Sequence, residues 1–270
     1  MAAAFAMKSF GLSERRSCVL VSVSRTVFSY QPRLSELNEK IRKRLKQLAA
    51  QHRKWSAWKF WRILRREGLM INHKRVERIY RQERLSLRER KRKKLKALVR
   101  VPLPRPARAN QQWSMDFIHD KLWNGRKFRS LSIVDTFTHE CLALEVDTSL
   151  GGERVKRVLE KLSLERGLPE AITVDNGPEF ISQVMDEWAY RQGVKLDFIR
   201  PGKPTDNPFV ESFHDKFRDE CLDDHYFSNL FEARTIIENS RIEFNTYRPP
   251  RTHKGLTPEE FNQQNETKKL

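Results

Sequence analysis

The stretch that decides the fold is AITVDNGPEF, at residues 171–180. Its apolar and β-branched start predicts a short buried strand at 171–175, and the residues that follow Asp175 predict a turn. A helix is expected at 179–192, where apolar residues recur at helical spacing. The expected inner face of that helix consists of Ile181, Val184, Met185 and Trp188.

Strands and helices alternate on both sides of this stretch. The predicted elements are strands at 112–118, 128–135, 140–147 and 194–199 and helices at 153–166 and 231–246. Asn207 and Pro208 open one further helix, since Asn is a good N-cap and Pro fits a first turn. The order βββαβαβαα is typical of an α/β fold with a mixed sheet and helices on both faces. We assign residues 111–262 to this domain.

Positive charge is concentrated near the start of the chain. The 270 residues carry 53 Lys and Arg against 35 Asp and Glu, a net charge of +18. Residues 31–100 hold 25 basic and six acidic groups, whereas residues 101–270 hold 24 basic and 28 acidic groups. A surplus of this size indicates a polyanionic partner, so we expect the first hundred residues to supply most contacts to DNA phosphates.

Residues 10–86 show the patterns of short helices. Ser13 and a break near residues 22–24 favour two short helices within 13–30. Longer helices are expected at 34–51, at 56–67 with Trp58, Trp61 and Leu64 inward, and at 73–84 with Val76, Ile79 and Tyr80 inward. Three helices with a basic last one favour a helix-turn-helix unit, although a small bundle with a solvated basic surface is the plainer interpretation. The predicted DNA contacts are Lys74, Arg75, Arg78 and Arg81.

Residues 87–110 are interpreted as a linker. The segment RERKRKKLKALVR at 88–100 holds eight basic groups and one acidic group. Such runs are usually solvated or disordered, and we interpret this one as an arm that follows DNA phosphates. Pro102, Pro104 and Pro106 then predict a stiff, extended segment before the α/β domain.

Cysteine usage and hydropathy limit the class of protein. Cys18, Cys141 and Cys221 are far apart and show no metal-ligand spacing, which favours a reduced, cytoplasmic setting. No apolar run approaches the ~20 residues needed to cross a bilayer, so we expect no membrane segment.

Three acidic residues occupy positions that suit a catalytic site. Asp116 interrupts the apolar strand WSMDFI at 113–118, and burial of a carboxylate is unfavourable unless it is paired or bound to a metal ion. Asp175 ends a strand, where sites form in α/β sheets, and Glu211 lies in the first turn of a helix. Each has a plainer explanation: a solvent-facing strand position, a turn residue, or a charge that complements the helix dipole.

The spacing of the three acids is more specific than any one of them. Asp175 and Glu211 are separated by 35 residues, and Asp116 lies on the first strand. With NQQWSMDFIHD, RGLPEAITVDNGPEF and PGKPTDNPFVESFHDKFRDEC, this D, D-35-E pattern resembles OrfB, the second-frame product of bacterial insertion-sequence-three family transposases, over residues 10–262. The resemblance implies a ribonuclease-H-like, retroviral-integrase-like catalytic core after an all-α helix-turn-helix module.

The resemblance also implies DDE-type DNA cleavage and strand transfer at insertion-sequence ends. Asp116, Asp175 and Glu211 would be the catalytic residues and would hold two Mg²⁺ or Mn²⁺ ions, while Asn176 and Asn207 would help to order the site. Water would first free a 3′-OH at the end of the element. That 3′-OH would then attack a second phosphodiester without a covalent link between protein and DNA.

Several partners follow from the same resemblance. Arg218 fills a position where the family has a basic residue that faces the DNA end, and Lys216 is predicted to contact DNA beside it. The family's first reading frame supplies a further helix-turn-helix and a leucine zipper, so we expect the OrfA product as a partner through a frameshift fusion. We expect a homo-oligomer on paired DNA ends, in the bacterial cytoplasm at the nucleoid.

Two other functions are compatible with parts of the sequence. A ribonuclease-H-like nuclease would share the fold and the metals, but nothing here suggests binding of an RNA–DNA hybrid. A non-catalytic DNA-binding regulator, or a decayed transposase copy, is favoured by departures from the family pattern. These departures are the Trp-rich segment 52–61, Thr136 in place of an acid, His139 in place of Arg, Pro208 in place of Ala, and residues 239–251.

Overall fold

A computed structural model describes residues 2–29, 36–85, 106–200 and 207–267 of the chain. The chain divides into two compact units, Met1–Lys46 and Gln47–Leu270. The predicted basic arm, Pro102 and Pro104 lie outside the described residues. The domain boundaries inferred from the sequence therefore stay predictions.

The first unit begins with three short helices: α1 (Ala2–Phe10), α2 (Glu14–Leu20) and α3 (Arg25–Phe28). The side chains of Ser13 and Ser24 accept hydrogen bonds from backbone N–H groups in the first turns of α2 and α3. These caps confirm the two short helices predicted within 13–30. Helix α1, rich in the strong helix former alanine, was not predicted.

The helical region continues with α4 (Glu36–Gln51), α5 (Ala57–Arg66) and α6 (His73–Gln82). Helix α5 packs against α6, whose buried residues are Val76, Ile79 and Tyr80 as predicted. The predicted inner face of α5 was partly wrong. Its buried residues are Phe60, Ile63 and Leu64, whereas Trp58 and Trp61 are only half-buried. The indole of Trp61 donates to the Ile71 carbonyl at 2.8 Å, which suits a position at the rim of the core.

One five-stranded sheet forms the centre of the second unit, in the order β3-β2-β1-β4-β5. Strands β1 (Gln112–Lys121), β2 (Lys127–Asp135) and β3 (Cys141–Asp147) are antiparallel. Strands β4 (Ala171–Val174) and β5 (Lys195–Phe198) extend the sheet in parallel from β1. This arrangement confirms the predicted mixed sheet.

Helices cover both faces of the sheet, because alternate residues of β1 and β2 are apolar on opposite sides. Helices α7 (Gly152–Arg166) and α8 (Gln183–Gln192) belong to the cluster that contains Trp113 and Met115. Helices α9 (Pro208–Glu220) and α10 (Leu230–Thr246) belong to the cluster that contains Ile118 and Val134. The predicted α/β class, with helices on both faces, is confirmed.

Three details differ from the sequence prediction. Helix α8 begins at Gln183 rather than 179, because residues 177–182 form a turn that buries Phe180 and leaves Ile181 exposed. On α9, the spacing of Phe209, Phe213 and Phe217 predicts one inner face, but Phe209 is only half-buried and Val210 is buried with the other two.

The third difference is helix α11 (Pro258–Thr267), which was not predicted. Its start is a capping box: the Glu260 N–H donates to the Thr257 hydroxyl, and the Thr257 N–H donates to the Glu260 carboxylate. That signal was present in the sequence. Each helix in the described ranges is too short or too polar to cross a bilayer.

Candidate active site

Strand β1 places Asp116 in the middle of the sheet. Its neighbours Met115 and Phe117 point to the α7–α8 face, so the Asp116 side chain points to the face covered by α9. The side chain is 28% exposed, and one of its oxygens accepts a hydrogen bond from the Phe117 N–H at 2.7 Å. Asp116 is therefore largely desolvated but still open to solvent.

Strand β4 carries Asp175 to the same position along the sheet. The parallel register pairs Gln112 with Ala171 and Ser114 with Thr173. If this register is continued for two more residues along each strand, Asp175 lies beside Asp116 and on the same face of the sheet. The two neighbouring strands are about 4.8 Å apart. The carboxylate of Asp175 accepts a hydrogen bond from the Gly177 N–H at 3.0 Å, which orders the turn after the strand.

Helix α9 brings Glu211 over that face of the sheet. Asn207, at the N-cap of α9, is buried and donates from Nδ2 to the carbonyl of Met115 at 3.3 Å. This bond ties the start of α9 to the residue before Asp116. Glu211 lies in the first turn of α9, one turn beyond the hydrogen bond of Asn207. The ordering role expected for Asn207 stays a prediction, which this hydrogen bond supports.

Asp175 and Glu211 influence Asp116 electrostatically. The pKa of Asp116 is raised to about 6, mainly by burial and also by the charges of Asp175 and Glu211, against the opposing effect of the Phe117 N–H. Burial and the nearby Asp215 also raise the pKa of Glu211. Within the described ranges, however, no three His, Cys, Asp or Glu side chains are arranged as a ready-made metal cluster. The fold brings the three acids to one side without drawing their carboxyl groups together.

A histidine and a serine support Asp116. Nδ1 of His214 lies 3.6 Å from the Asp116 carboxylate, and its Nε2 lies 2.5 Å from the Ser132 hydroxyl. The Ser132 hydroxyl donates to the Asp116 carbonyl at 2.9 Å, so His214 donates to Ser132 through Nε2. Burial, followed by the charge of Arg218, lowers the pKa of His214 to about 4 and keeps the ring neutral.

The helical spacing of His214 from Glu211 was visible in the sequence. Ser132 was missed, because only the pairing of β2 with β1 sets it opposite Asp116.

An ion pair anchors the turn that follows Asp175. Nη1 of Arg129, on β2, lies 2.5 Å from the carboxylate of Glu179, and Nη2 donates to the Leu150 carbonyl. The guanidinium also lies 4.7 Å from the ring centre of Phe117, which stacks on Phe180. Sequence reasoning missed this pair as well, since the two residues are 50 positions apart.

The remaining predicted residues lie at three places. Asn176 donates to the Ile199 carbonyl at 2.8 Å and so links the turn after β4 to the end of β5. Arg218 is exposed and donates to the His119 carbonyl at 3.1 Å. Lys216 is half-buried and donates to Ser212, and its pKa is lowered by burial and then by Arg248. Lys216 therefore faces away from Glu211.

Helix α6 presents a basic surface. The Asn72 side chain caps it by accepting from the Lys74 N–H at 2.9 Å. The four residues predicted to contact DNA, Lys74, Arg75, Arg78 and Arg81, are all exposed. Arg81 forms a salt bridge of 2.6 Å to Glu77.

Comparison with protein families matches each of these parts. Two models described as integrase core domain match residues 106–204 and 192–258, and one described as HTH-like domain matches residues 36–94. The "Insertion element IS407 uncharacterized 31.7 kDa protein" of Burkholderia multivorans is 41% identical over 250 residues, which cover 93% of this chain and 90% of that protein. The chain belongs to the OrfB family of insertion-sequence-three transposases.

A second relative of this transposase family is the transposase for insertion sequence element IS904 of Lactococcus lactis. It is 24% identical over 245 residues, which cover 84% of this chain and 95% of that protein. The fold agrees with a chain in the cryo-EM structure of the simian T-cell lymphotropic virus intasome in complex with PP2A regulatory subunit B56 gamma. The TM-score is 0.54 at 18% identity, over 72% of this chain and 67% of that chain.

Proposed function

We propose that this transposase cleaves and joins DNA at the ends of its insertion sequence through Asp116, Asp175 and Glu211. The observation that carries the proposal is the parallel register of β1 and β4. It sets Asp175 beside Asp116, and the tie from Asn207 to Met115 brings the first turn of α9 over both. A regulator that only bound DNA would have no need for three acids on one partly desolvated face.

The residues present suit a divalent cation. All three side chains offer carboxylate oxygens, the donors that Mg²⁺ and Mn²⁺ prefer. Their mutual repulsion, with the pKa of Asp116 raised to about 6, would be relieved by a positive ion. The buried Asn207 Oδ1 has no hydrogen-bond partner among the described residues and supplies a further oxygen at this place. Two such ions, when bound, supply activation of water and charge relief on the leaving oxygen.

The surrounding residues have separate tasks in this proposal. Neutral His214 and Ser132 hold the backbone of Asp116 in place through the Asp116 carbonyl, and the Arg129–Glu179 pair holds the turn after Asp175. Arg218 lies exposed two turns beyond Glu211 on α9, where it can contact a phosphate of the DNA end. Helix α6 supplies the basic face that binds the ends, with a strongly salt-dependent affinity.

We further propose the partners that the family implies. The OrfA product would join this chain as a frameshift fusion, and several copies would act together on paired DNA ends. This assembly would work in the cytoplasm, at the nucleoid.

A joining assay tests the proposal. The full chain is incubated with Mg²⁺ and duplexes that carry the inverted repeats flanking its reading frame, and cleaved and joined strands are separated on a sequencing gel. Glu211→Gln should lower joining by roughly a hundredfold or more, since misplaced reacting groups cost that much. The matched control is Asp215→Asn on the same helix, which should retain joining.

Two results decide against the proposal. Full joining by Glu211→Gln would exclude the triad. End binding without any joining by the unmodified chain when it is fused to the OrfA product would favour the non-catalytic regulator.

A further inference from the structure

A largely buried charged cluster holds α5, and the segment before it, on the end of α9. It consists of Glu220, at the end of α9, together with Arg248, Lys59 and Trp55, and is called the Glu220 cluster below. The Glu220 carboxylate accepts from Arg248 Nε and Nη2 at 2.7 Å each, from Lys59 Nζ at 2.6 Å and from the Trp55 indole at 2.9 Å. The side chains of Glu220, Arg248 and Lys59 are 19%, 8% and 13% exposed.

The charges in this cluster depend on one another. Burial alone raises the pKa of Glu220, but the hydrogen bonds and charges of Arg248 and Lys59 outweigh it and lower the pKa to about 2. Burial and then Arg248 lower the pKa of Lys59 to about 8. Loss of Glu220 would leave two uncompensated cations in a mostly dry place, which is strongly unfavourable. The cluster therefore favours one arrangement of α5 on α9.

Two further contacts hold α5 and the segment before it. At the end of α5, Arg66 forms a salt bridge of 2.6 Å to Glu260 and donates to the Tyr247 carbonyl at 3.1 Å. Before its start, the Trp55 ring stacks on His52 and Tyr247, with ring centres 3.9 and 5.9 Å apart. A helix held at both ends cannot pivot about one contact.

The same elements connect the DNA-binding face to the catalytic face. Helix α6 is fixed to this segment because the Tyr80 hydroxyl donates to the Trp55 carbonyl at 3.3 Å and its ring packs on Phe60. On the other side, Glu220 and Glu211 lie on one helix, nine residues or about 14 Å apart. A short and continuous path of packed elements thus joins the basic side chains of α6 to Glu211.

We propose that the Glu220 cluster fixes the distance between the DNA sequence bound by α6 and the phosphodiester that is cut. Lys59 and Trp55 are positioning residues in this inference, which rests on the proposed function above. A rigid joint sets one cutting position relative to the bound sequence. A loosened joint allows the same bound sequence to present several phosphodiesters.

Lys59→Met tests this role without dismantling the core, because Glu220 keeps both hydrogen bonds to Arg248. Cutting positions are mapped at nucleotide resolution on end duplexes, and the Kd for the same duplex is measured in parallel. The unmodified chain should cut at one position. Lys59→Met should cut there about ten- to a hundredfold more slowly and at neighbouring positions as well, with an unchanged Kd. Lys59→Met combined with Arg66→Met should spread the positions further.

Lys54→Met is the matched control. Lys54 lies in the same segment, but its Nζ lies 3.4 Å from the Asp223 carboxylate, farther than Lys59 Nζ from Glu220, and its side chain is 33% exposed. It should keep the single position, since exposed pairs contribute little. Equal scatter in Lys54→Met would overturn the inference, because the effect would then reflect net charge. A single, unchanged position in the Lys59→Met, Arg66→Met variant would overturn it as well.

A distance measurement tests the joint independently of activity. Spin labels are attached at Gln82→Cys on α6 and Asp186→Cys on α8, both exposed positions, while the three native cysteines are buried. The unmodified background should give one narrow distance, and Lys59→Met with Arg66→Met should broaden it. An equally narrow distance distribution in the unmodified background and in the Lys59→Met, Arg66→Met variant would overturn the inference that the Glu220 cluster makes this connection rigid. A chain that never cuts would refute the proposed function, and with it the role of the cluster in setting the cutting position. The spin-label distance would still show whether the cluster holds α6 rigidly on the catalytic core.

Discussion

Replacement of Glu220 by glutamine should cost the protein a large part of its stability. Gln has the shape of Glu but no charge, and it can offer only one acceptor oxygen to four hydrogen bonds from Arg248, Lys59 and Trp55. The shift of the Glu220 pKa from 4.5 to about 2 corresponds to about 3 kcal/mol at neutral pH. Breaking a buried pair costs about 3–5 kcal/mol, out of the roughly 5–15 kcal/mol of a typical domain.

The pH dependence of this loss has a definite sign. Because the folded-state pKa is depressed, the contribution of Glu220 is fully present above the unfolded value of 4.5 and is lost as pH falls towards about 2. The free energy of unfolding is measured by urea titration with circular dichroism, for the unmodified chain and Glu220→Gln. The difference should be about 3–5 kcal/mol at pH 7 and should narrow by about 2 kcal/mol at pH 3.

A surface glutamate provides the control for that experiment. Glu187 lies 3.7 Å from Arg191, and its side chain is 52% exposed. Glu187→Gln should therefore change stability by less than about 0.5 kcal/mol. If Glu220→Gln were as stable as Glu187→Gln at pH 7, the cluster would not stabilise the fold and the reasoning about its buried charges would be refuted.

Three further predictions concern the site, the DNA-binding face and the core. Asp116→Asn should abolish joining. It should nevertheless raise the free energy of unfolding of the metal-free chain by up to about 2–3 kcal/mol, because it removes a largely buried charge whose pKa is raised to about 6. A urea titration that shows a lower free energy of unfolding for Asp116→Asn would contradict this. Arg78→Ala should lower the slope of log K against log salt by about one, measured by fluorescence anisotropy, whereas exposed Lys161→Ala on α7 should leave it unchanged. Gly152→Ala should lower the free energy of unfolding by about 1–3 kcal/mol, because the new Cβ would lie 2.4 Å from the Ser182 hydroxyl oxygen. Adding Ser182→Ala to the same chain should restore part of that free energy, as measured by urea titration. If it restores none, the clash with Ser182 is not the cause.

Local sequence patterns predicted most of the elements, because strand alternation, helix caps and apolar periodicity act over a few residues. Ser13 caps a helix as predicted, Asn72 caps another as an asparagine before a helix is expected to, and the order of strands and helices from β1 to α10 is confirmed. The predictions of buried side chains were wrong where two neighbouring apolar residues could each have been the buried one. Ile181 fitted the helical pattern, yet the turn after Gly177 buries Phe180 instead, because that ring stacks on Phe117.

The candidate site shows the same division. The types and spacing of Asp116, Asp175 and Glu211 resemble a family pattern, and that resemblance predicts a triad. Ser132 and the tie from Asn207 to Met115 could not be found that way, because strand pairing and helix packing bring these groups together from 16 and 92 positions apart.

The sequence by itself determined the class of fold, which depends on local periodicity, and the family, which depends on motifs that resemble those of known transposases. The role of the three acids stays a prediction. Only the tertiary structure decided that α5 rests on the end of the helix that carries Glu211. Lys59 and Glu220 are 161 positions apart, and neither shows any local sign of its partner. Their contact exists because packing removes both charges from water and leaves the Glu220 carboxylate to compensate Lys59 as well as Arg248.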